Sequence, residues 1–344
     1  MKRKALVTTI ALTIILGLAA TLYRTPGVQD FVLKRAATAA LSVAVEPFDG
    51  MRAVVCGSAS PLGQSMDRAQ ACIAVVTPEH LFLIDVGARS PVRIAQARLP
   101  LARLNGVLLT HYHSDHIAAL PDINLQSWVA GRTEALRVYG PTGIGRVVNG
   151  FNEAYALDRG YRSAHHGEDL LPPNIGPMEA VQTTSGVVWQ DESMTVTTFK
   201  VEHDPIDPAM GYRFDYKGRS IVVSGDSNAV ESLFTAAQNA DVLFHDALAR
   251  HSLDITVDAL AAAGRSRVSQ VVSDVHDYHA DSRTLEAAAE EAGIAQLVLY
   301  HLVPTPANGL AETMFRRGLK DDTILANDLQ VFDLPLNSDQ IILR

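Results

Sequence analysis

The sequence has little cysteine: two residues in 344, Cys56 and Cys72, and no Cys-x-x-Cys pair. A cysteine-built metal site or a dithiol redox motif is therefore excluded. There is also no long basic run, and the formal net charge is −9. Sequence-independent attraction to nucleic-acid phosphate is not built into that balance. Charged residues are sparse, at 19% against 47% hydrophobic, which excludes a disordered chain. The length suits one large domain or two small ones around a substantial core. Cys56 and Cys72 fall in neighbouring predicted strands, where a disulfide and two separate buried thiols are both open.

What is present begins with the N-terminus. Lys2-Arg3-Lys4 precedes Ala5 to Tyr23, a run without a charged residue. About 20 apolar residues cross a bilayer, so residues 1–23 are expected to form a signal anchor, with a cleaved signal peptide as the alternative. Positive charge ahead of the span predicts an inner-membrane anchor with the rest of the chain on the periplasmic side. Residues 24–50 read as a stalk, with an amphipathic helix over 28–41. A domain over 51–335 and a short tail, 336–344, complete the expected organisation.

The centre of the domain is Thr110-His111-Tyr112-His113-Ser114-Asp115-His116, directly after the apolar run Val107-Leu108-Leu109. An apolar run ending in such a cluster reads as a buried strand delivering ligands to a sheet edge. His111 and His113 are two apart and project to one side of an extended loop. Asp115 and His116 address the cluster from the turn into the next helix. Imidazoles with one carboxylate suit two metal ions with an open position for water. The pattern then recurs: apolar strands end in His203, Asp226, Asp246 and His301. Ligands gather beyond strand ends in layered α/β proteins, so these residues point to one shared site. Asp85, closing another strand, is expected to orient a metal-bound imidazole through its remote N–H. The stretch 147–173 looks like an excursion, and Tyr161, His165 and His166 make it a candidate lid or substrate-facing loop.

Taken in order, Asp85, the H-x-H-x-D-H motif, His203, Gly225-Asp226 and His301 resemble the metallo-β-lactamase fold superfamily over roughly 51–334. The resemblance implies an α/β fold, a four-layer αββα sandwich with a dinuclear metal centre at one edge. Carried over by position, one ion takes His111, His113 and His203, and the second takes Asp115, His116 and His301. Asp226 bridges both. Two divalent ions are implied, zinc first, with manganese or iron as alternatives. His113 stands where oxygen-reducing diiron relatives carry a carboxylate, which points to the hydrolytic branch; a dioxygenase or glyoxalase-type member stays open.

Cys56-Gly57-Ser58-Ala59-Ser60-Pro61, Ser224-Gly225-Asp226-Ser227 and His279-Ala280-Asp281-Ser282 further resemble the ribonuclease Z-like and arylsulfatase-like branch. There the histidine lies near the scissile phosphate, assisted by an acid in a His-Glu-Ala-Thr segment. Here His245-Asp246-Ala247-Leu248 matches that segment, with Asp in place of Glu. His279 is thus the expected catalytic acid, His276 its competitor, and Asp115 the residue that orients the nucleophilic water. No basic, glycine-rich arm of the kind that clamps transfer RNA is present. The expected partner is therefore a small-molecule phosphodiester or sulfate ester, with no specific nucleic-acid binding and with membrane attachment through the N-terminal helix. A lactonase or β-lactamase-like hydrolase of cyclic acyl compounds and a non-enzymatic metal-binding module are the alternatives.

Overall fold

The computed structural model describes residues 23–42, 48–63, 65 and 67–344. Two units are distinguished, one up to Pro47 and one from Phe48 onward. In the first, the described residues form a helix, α1 (Pro26–Ser42), on which Arg35 stands 5.6 Å from the Phe31 ring. Among the described residues, no helix is long and apolar enough to cross a membrane. The apolar stretch that suggested an anchor falls almost wholly in residues 1–22, which lie outside the described residues.

The second unit holds two sheets. The first comprises β1 (Gly50–Gly57), β2 (Cys72–Val76), β3 (Leu81–Ile84), β4 (Leu104–Leu108), β5 (Arg137–Gly140) and β6 (Glu179–Gln182). The second comprises β7 (Gly186–Gln190), β8 (Met194–His203), β9 (Ile206–Tyr216), β10 (Arg219–Val223), β11 (Val242–Leu248), β12 (Gln296–Val303) and β13 (Ile324–Leu325). β14 (Val331–Pro335) and β15 (Ile342–Leu343) return to the first sheet, so its order is β15-β14-β1-β2-β3-β4-β5-β6. β15 comes from the segment expected as a tail. The second sheet runs β13-β12-β11-β10-β9-β8-β7.

The central strands are short unbroken apolar runs (Leu81–Ile84, Ile221-Val222-Val223, Val242-Leu243-Phe244) because they are covered on both faces. Val55, Ile73, Phe82 and Leu108 of one sheet meet Tyr212, Phe214, Val223, Phe244 and Tyr300 of the other in the inner core. Outside the first sheet pack Ile94 of α2 (Ser90–Gln96), Leu120 and Ile123 of a helix over Leu120–Val129, and Ile144 and Val148 of a helix over Ile144–Ala154. Outside the second lie Leu233, Leu285 and Phe315, each from a different helix. The result is the four-layer αββα sandwich.

Direction matters more than layer count for the site. β10, β11 and β12 are mutually parallel, and β8 is related to β10 by two antiparallel steps through β9. All four therefore run the same way and deliver their C-terminal residues to one edge. The β9–β10 turn is Lys217-Gly218, both at positive φ (46° and 85°), which matches the twist of a two-residue hairpin. Cys56 and Cys72 form a disulfide between β1 and β2, with Cα atoms 4.9 Å apart.

Candidate metal centre

Three local distortions aim side chains at the common edge. Asp85 follows β3 at φ 55°, Gly225 follows β10 at φ 67°, and His301 sits at φ 43° inside β12. The β11–β12 register jumps from Asp246↔Tyr300 to Ala247↔Leu302, so His301 is the extra residue of a bulge. A bulge breaks the in–out alternation and re-aims the side chain. At 225 a side chain would meet Thr110 Cβ at 2.7 Å, so only glycine lets the two sheet edges approach this closely.

The imidazoles are fixed by what their remote nitrogens contact. Thr110 donates its single hydroxyl proton to Asp85 Oδ2 (2.8 Å), so its oxygen accepts from His111 Nδ1–H (3.0 Å), and His111 Nε2 is left as a lone pair. His116 donates Nδ1–H to Asp85 Oδ2 at 2.7 Å, and His203 donates Nδ1–H to the Tyr278 carbonyl at 2.9 Å. Their Nε2 lone pairs face inward as well. His111 Nε2 and His203 Nε2 lie 2.9 and 3.4 Å from His113 Nδ1. At most one proton can lie among these three nitrogens, so lone pairs are directed at one another, an arrangement that a cation stabilises.

The carboxylates complete the set. Asp226 Oδ2 is 3.2 Å from His116 Nε2 and 3.9 Å from both His111 Nε2 and His203 Nε2. Its Oδ1 is 3.4 Å from His301 Nδ1. Asp115 Oδ2 is 3.0 Å from His301 Nε2 and 3.4 Å from His116 Nε2. Donor atoms thus gather in three overlapping groups, His111, His113, His203 and Asp226; Asp115, His116 and His301; and Asp226, His279 and His301, each within 4.8 Å. All are buried except His113, which is exposed. His116 Nε2, Asp226 Oδ1 and His301 Nδ1 have no hydrogen-bond partner despite burial. Orphaned buried polar atoms of this type cost free energy unless something ligates them. The residues fit divalent ions.

Electrostatics point the same way. Burial opposes charge on His116, but Asp226, Asp85 and Asp115 outweigh it and hold the imidazole well above its ordinary range. Burial likewise works to neutralise Asp226, but His116 and His301 keep its carboxyl well below the usual range. Asp115 is held low in the same manner by His116 and His301. A proton on His116 and a bound cation compete for one lone pair, so metal binding releases a proton. For His111 burial dominates, with the neighbouring His116 adding to it, and the ring is held well below its ordinary value as a neutral ligand.

His279 lies beside this cluster. Its Nδ1–H donates to Asp246 Oδ2 at 2.7 Å, and its ring is 5.3 Å from that of His203 and 5.5 Å from that of His301. Asp246 is fully buried; its Oδ1 takes the Ser227 N–H at 3.1 Å and lies 3.0 Å from His245 Nδ1. The shorter Asp therefore reaches His279 in this chain. His276 instead pairs with Asp254 at 2.9 Å and donates Nδ1–H to the Ser273 carbonyl, which leaves it no part in the cluster. Tyr161, His165 and His166 are not loop residues: they lie on a helix over Ala156–His166, all exposed. His165 and His166 pack ring to ring at 4.7 Å, and among the described residues no hydrogen bond or ring contact joins the three to the cluster. Thr110 and Tyr278 were missed from sequence. A threonine directly before the motif was the available signal for the first; nothing local marked the second.

Comparison with known proteins accords with the fold. A family model described as a beta-lactamase superfamily domain matches residues 80–302. Ribonuclease Z of Mycobacterium bovis (strain BCG / Pasteur 1173P2) is 35% identical over 259 residues, 74% of this chain and 87% of that protein. The crystal structure of human tRNase Z, short form, covers 83% of this chain and 100% of its own, at 18% identity and a TM-score of 0.57. Zn(2+)-bound PqqB from Methylobacterium extorquens covers 82% and 100%, at 16% identity and a TM-score of 0.54. These two structures share the fold.

The relatives correct two expectations. The small-molecule ester, with no specific nucleic-acid binding, does not stand beside a curated relative named ribonuclease Z. Net charge governs long-range, sequence-independent attraction and says little about a locally built site, so −9 could not exclude RNA. The inner-membrane anchor with a periplasmic domain is likewise not retained, because the matched relatives are named ribonuclease Z. A run of hydropathy states what could span a bilayer, not what does. Of the branches considered, the matches identify the ribonuclease Z-like one and leave the arylsulfatase-like one without support, and an enzyme replaces the non-enzymatic module. With the family model spanning most of the catalytic unit and a 35% identical relative matched over most of its length, this chain belongs to the metallo-β-lactamase superfamily, in its ribonuclease Z-like branch, and is a metal-dependent hydrolase.

Proposed function

We propose that this hydrolase is a phosphodiesterase that cuts RNA with two divalent ions, zinc by preference. The observation that carries the reading is the pair of donor groups meeting at Asp226, with the His279–Asp246 pair beside them. His111, His113 and His203 hold one ion in this reading, Asp115, His116 and His301 the other, and Asp226 lies between. Five imidazoles and two carboxylates form a donor set suited to zinc, and a zinc-bound relative of the same fold agrees with it. Ions bound there supply Lewis acidity and lower the pKa of water towards about 7.

The chain's own residues do the rest. Asp115 accepts a hydrogen bond from the attacking water, so that a lone pair points at phosphorus. His279 commits Nδ1–H to Asp246, which leaves Nε2 to deliver a proton to the leaving oxygen. Burial disfavours charge on Asp246, but the hydrogen bonds from His245 and His279 hold its carboxyl below the ordinary range. A fixed carboxylate stabilises the imidazolium from which that proton leaves. Positioned acids of this kind contribute about 10²–10⁴-fold.

The test is turnover of the full chain on a 3′-extended RNA, the same sequence as DNA, and bis-p-nitrophenyl phosphate. Chelation should abolish cleavage of the RNA, and zinc or manganese should restore it. Absence of cleavage of every diester at full metal occupancy would remove the reading; equal cleavage of DNA would remove its RNA part.

A further inference from the structure

Tyr278 is an aromatic side chain at the site that neither the metal groups nor the proton path employs. Its ring stands at 85° to that of His203, 5.1 Å away, and 4.9 Å from that of His279. It is half-buried, with one side against the cluster of Leu248, Leu253, Val275 and Val303. The ring is therefore backed by packing yet still meets solvent beside the two histidines that would flank a bound phosphate. Its backbone is pinned too. The carbonyl accepts His203 Nδ1–H, and the next residue is held through Asp246. A large aromatic kept half in water next to a reacting centre forgoes some of the free energy that full burial would give. It offers a rigid π-face instead, at low conformational cost.

Resting on the RNA reading above, we infer that Tyr278 is a stacking platform for the nucleobase adjoining the scissile phosphate. A phosphate held by the ions with its leaving oxygen towards His279 carries its nucleoside within one nucleotide of that ring. Every base has a π-face, so the contact selects nucleotides over simple phosphate esters without choosing among bases. Tyr278 is in this sense a positioning and specificity-determining residue, not a proton donor. Base–aromatic stacking corresponds to a gain of about 5- to 150-fold in affinity.

Because the hydrogen bond to His203 Nδ1 is accepted by the Tyr278 backbone carbonyl, replacing the side chain leaves that hydrogen bond in place. The experiment measures binding of adenosine 5′-monophosphate and ribose 5-phosphate to the zinc-loaded full chain, as wild type, Tyr278→Leu and Tyr278→Trp. Zinc content and thermal midpoint are recorded for each protein. Wild type and Tyr278→Trp should bind the nucleotide about 5- to 150-fold more tightly than the sugar phosphate. Tyr278→Leu should bring the two affinities together while retaining zinc. Equal binding of both ligands by wild type, including no measurable binding of either, overturns the inference, as does a preference that survives in Tyr278→Leu. Loss of zinc in both variants would mark the ring as structural and also overturn it. A nucleotide preference without RNA turnover would instead count against the RNA reading alone.

Discussion

Asp85→Asn replaces one atom and tests whether Asp85 sets the chemistry of two imidazoles. The carboxylate accepts three hydrogen bonds: Oδ1 from Thr110 N–H at 2.9 Å, and Oδ2 from the Thr110 hydroxyl at 2.8 Å and His116 Nδ1–H at 2.7 Å. An asparagine keeps one acceptor oxygen and brings an NH₂ group. If the NH₂ takes the Oδ1 position it faces Thr110 N–H, donor against donor. If it takes the Oδ2 position it faces His116, which must then move its proton to Nε2 and lose the inward lone pair. Asp85 is 1% exposed, so water cannot relieve either arrangement. A buried unsatisfied donor costs about 1–3 kcal/mol. Loss of such an orienting partner weakens metal binding about 10–100-fold, or about 1.4–2.7 kcal/mol. Urea unfolding of chelator-treated protein reads the first quantity, and competition with a zinc indicator reads the second. At least one should move by the stated amount. If apo stability and zinc affinity both stayed within twofold of wild type, Asp85 would not orient the imidazoles.

Other perturbations have equally direct readouts. Breaking the Cys56–Cys72 disulfide, with reductant or as Cys56→Ser/Cys72→Ser, opens a loop spanning 16 positions. Chain entropy puts the expected loss near about 3 kcal/mol in urea unfolding, and an unchanged midpoint would refute it. Gly225→Ala places a methyl 2.7 Å from Thr110 Cβ on a backbone at φ 67°. A stability loss of about 2–4 kcal/mol is expected, with zinc affinity falling alongside, as calorimetry with and without chelator will show. Asp246→Ala should lower kcat by about 10²–10⁴-fold while zinc content holds; a proportionate loss of zinc would make Asp246 structural. At the opposite end of the sandwich, burial slightly favours neutral Asp191, but the Ser193 and Met194 N–H groups and His80 hold its carboxyl well below the usual range. A depressed carboxyl adds stability above its unfolded pKa and loses it on acidification. The stability gap between wild type and Asp191→Asn, measured in chelator, should therefore be full at neutral pH and close below pH about 4.

What could be read in advance depended on whether a signal was local. His111 to His116 lie within one turn of chain, and His203, Asp226, Asp246 and His301 each close an apolar run, a pattern that survives without coordinates. The parallel run of β10, β11 and β12 turns that pattern into convergence, since strands of one direction must deliver their last residues to one edge. Asp85 was legible for the same reason. Thr110 was not, because its importance lies in passing a contact from Asp85 to His111. Tyr278 was not, because the imidazole that its carbonyl orients is 75 positions away. Composition misled on the local structure at Tyr161, His165 and His166: aromatic and imidazole content suggested a loop, but the three lie on a helix. On the helix over Ala156–His166 all three turn to solvent.

On the RNA reading proposed above, the charge balance of the site accounts for how a protein of net charge −9 would act on an anionic polymer. Asp85, Asp115, Asp226 and Asp246 are buried within one hydrogen-bonded neighbourhood, each ion-paired or hydrogen-bonded to at least one imidazole. Alone, such a set repels phosphate. Two divalent cations held there, as proposed, would add four positive charges where the donor atoms converge, and the local field would then attract a diester that the rest of the surface does not. Attraction would be confined to the reacting phosphate, with no long basic run in the sequence to add long-range pull. Recognition beyond that phosphate would then have to come from short-range contacts, and the π-face proposed as a platform beside His203 and His279 would supply one without any added positive charge.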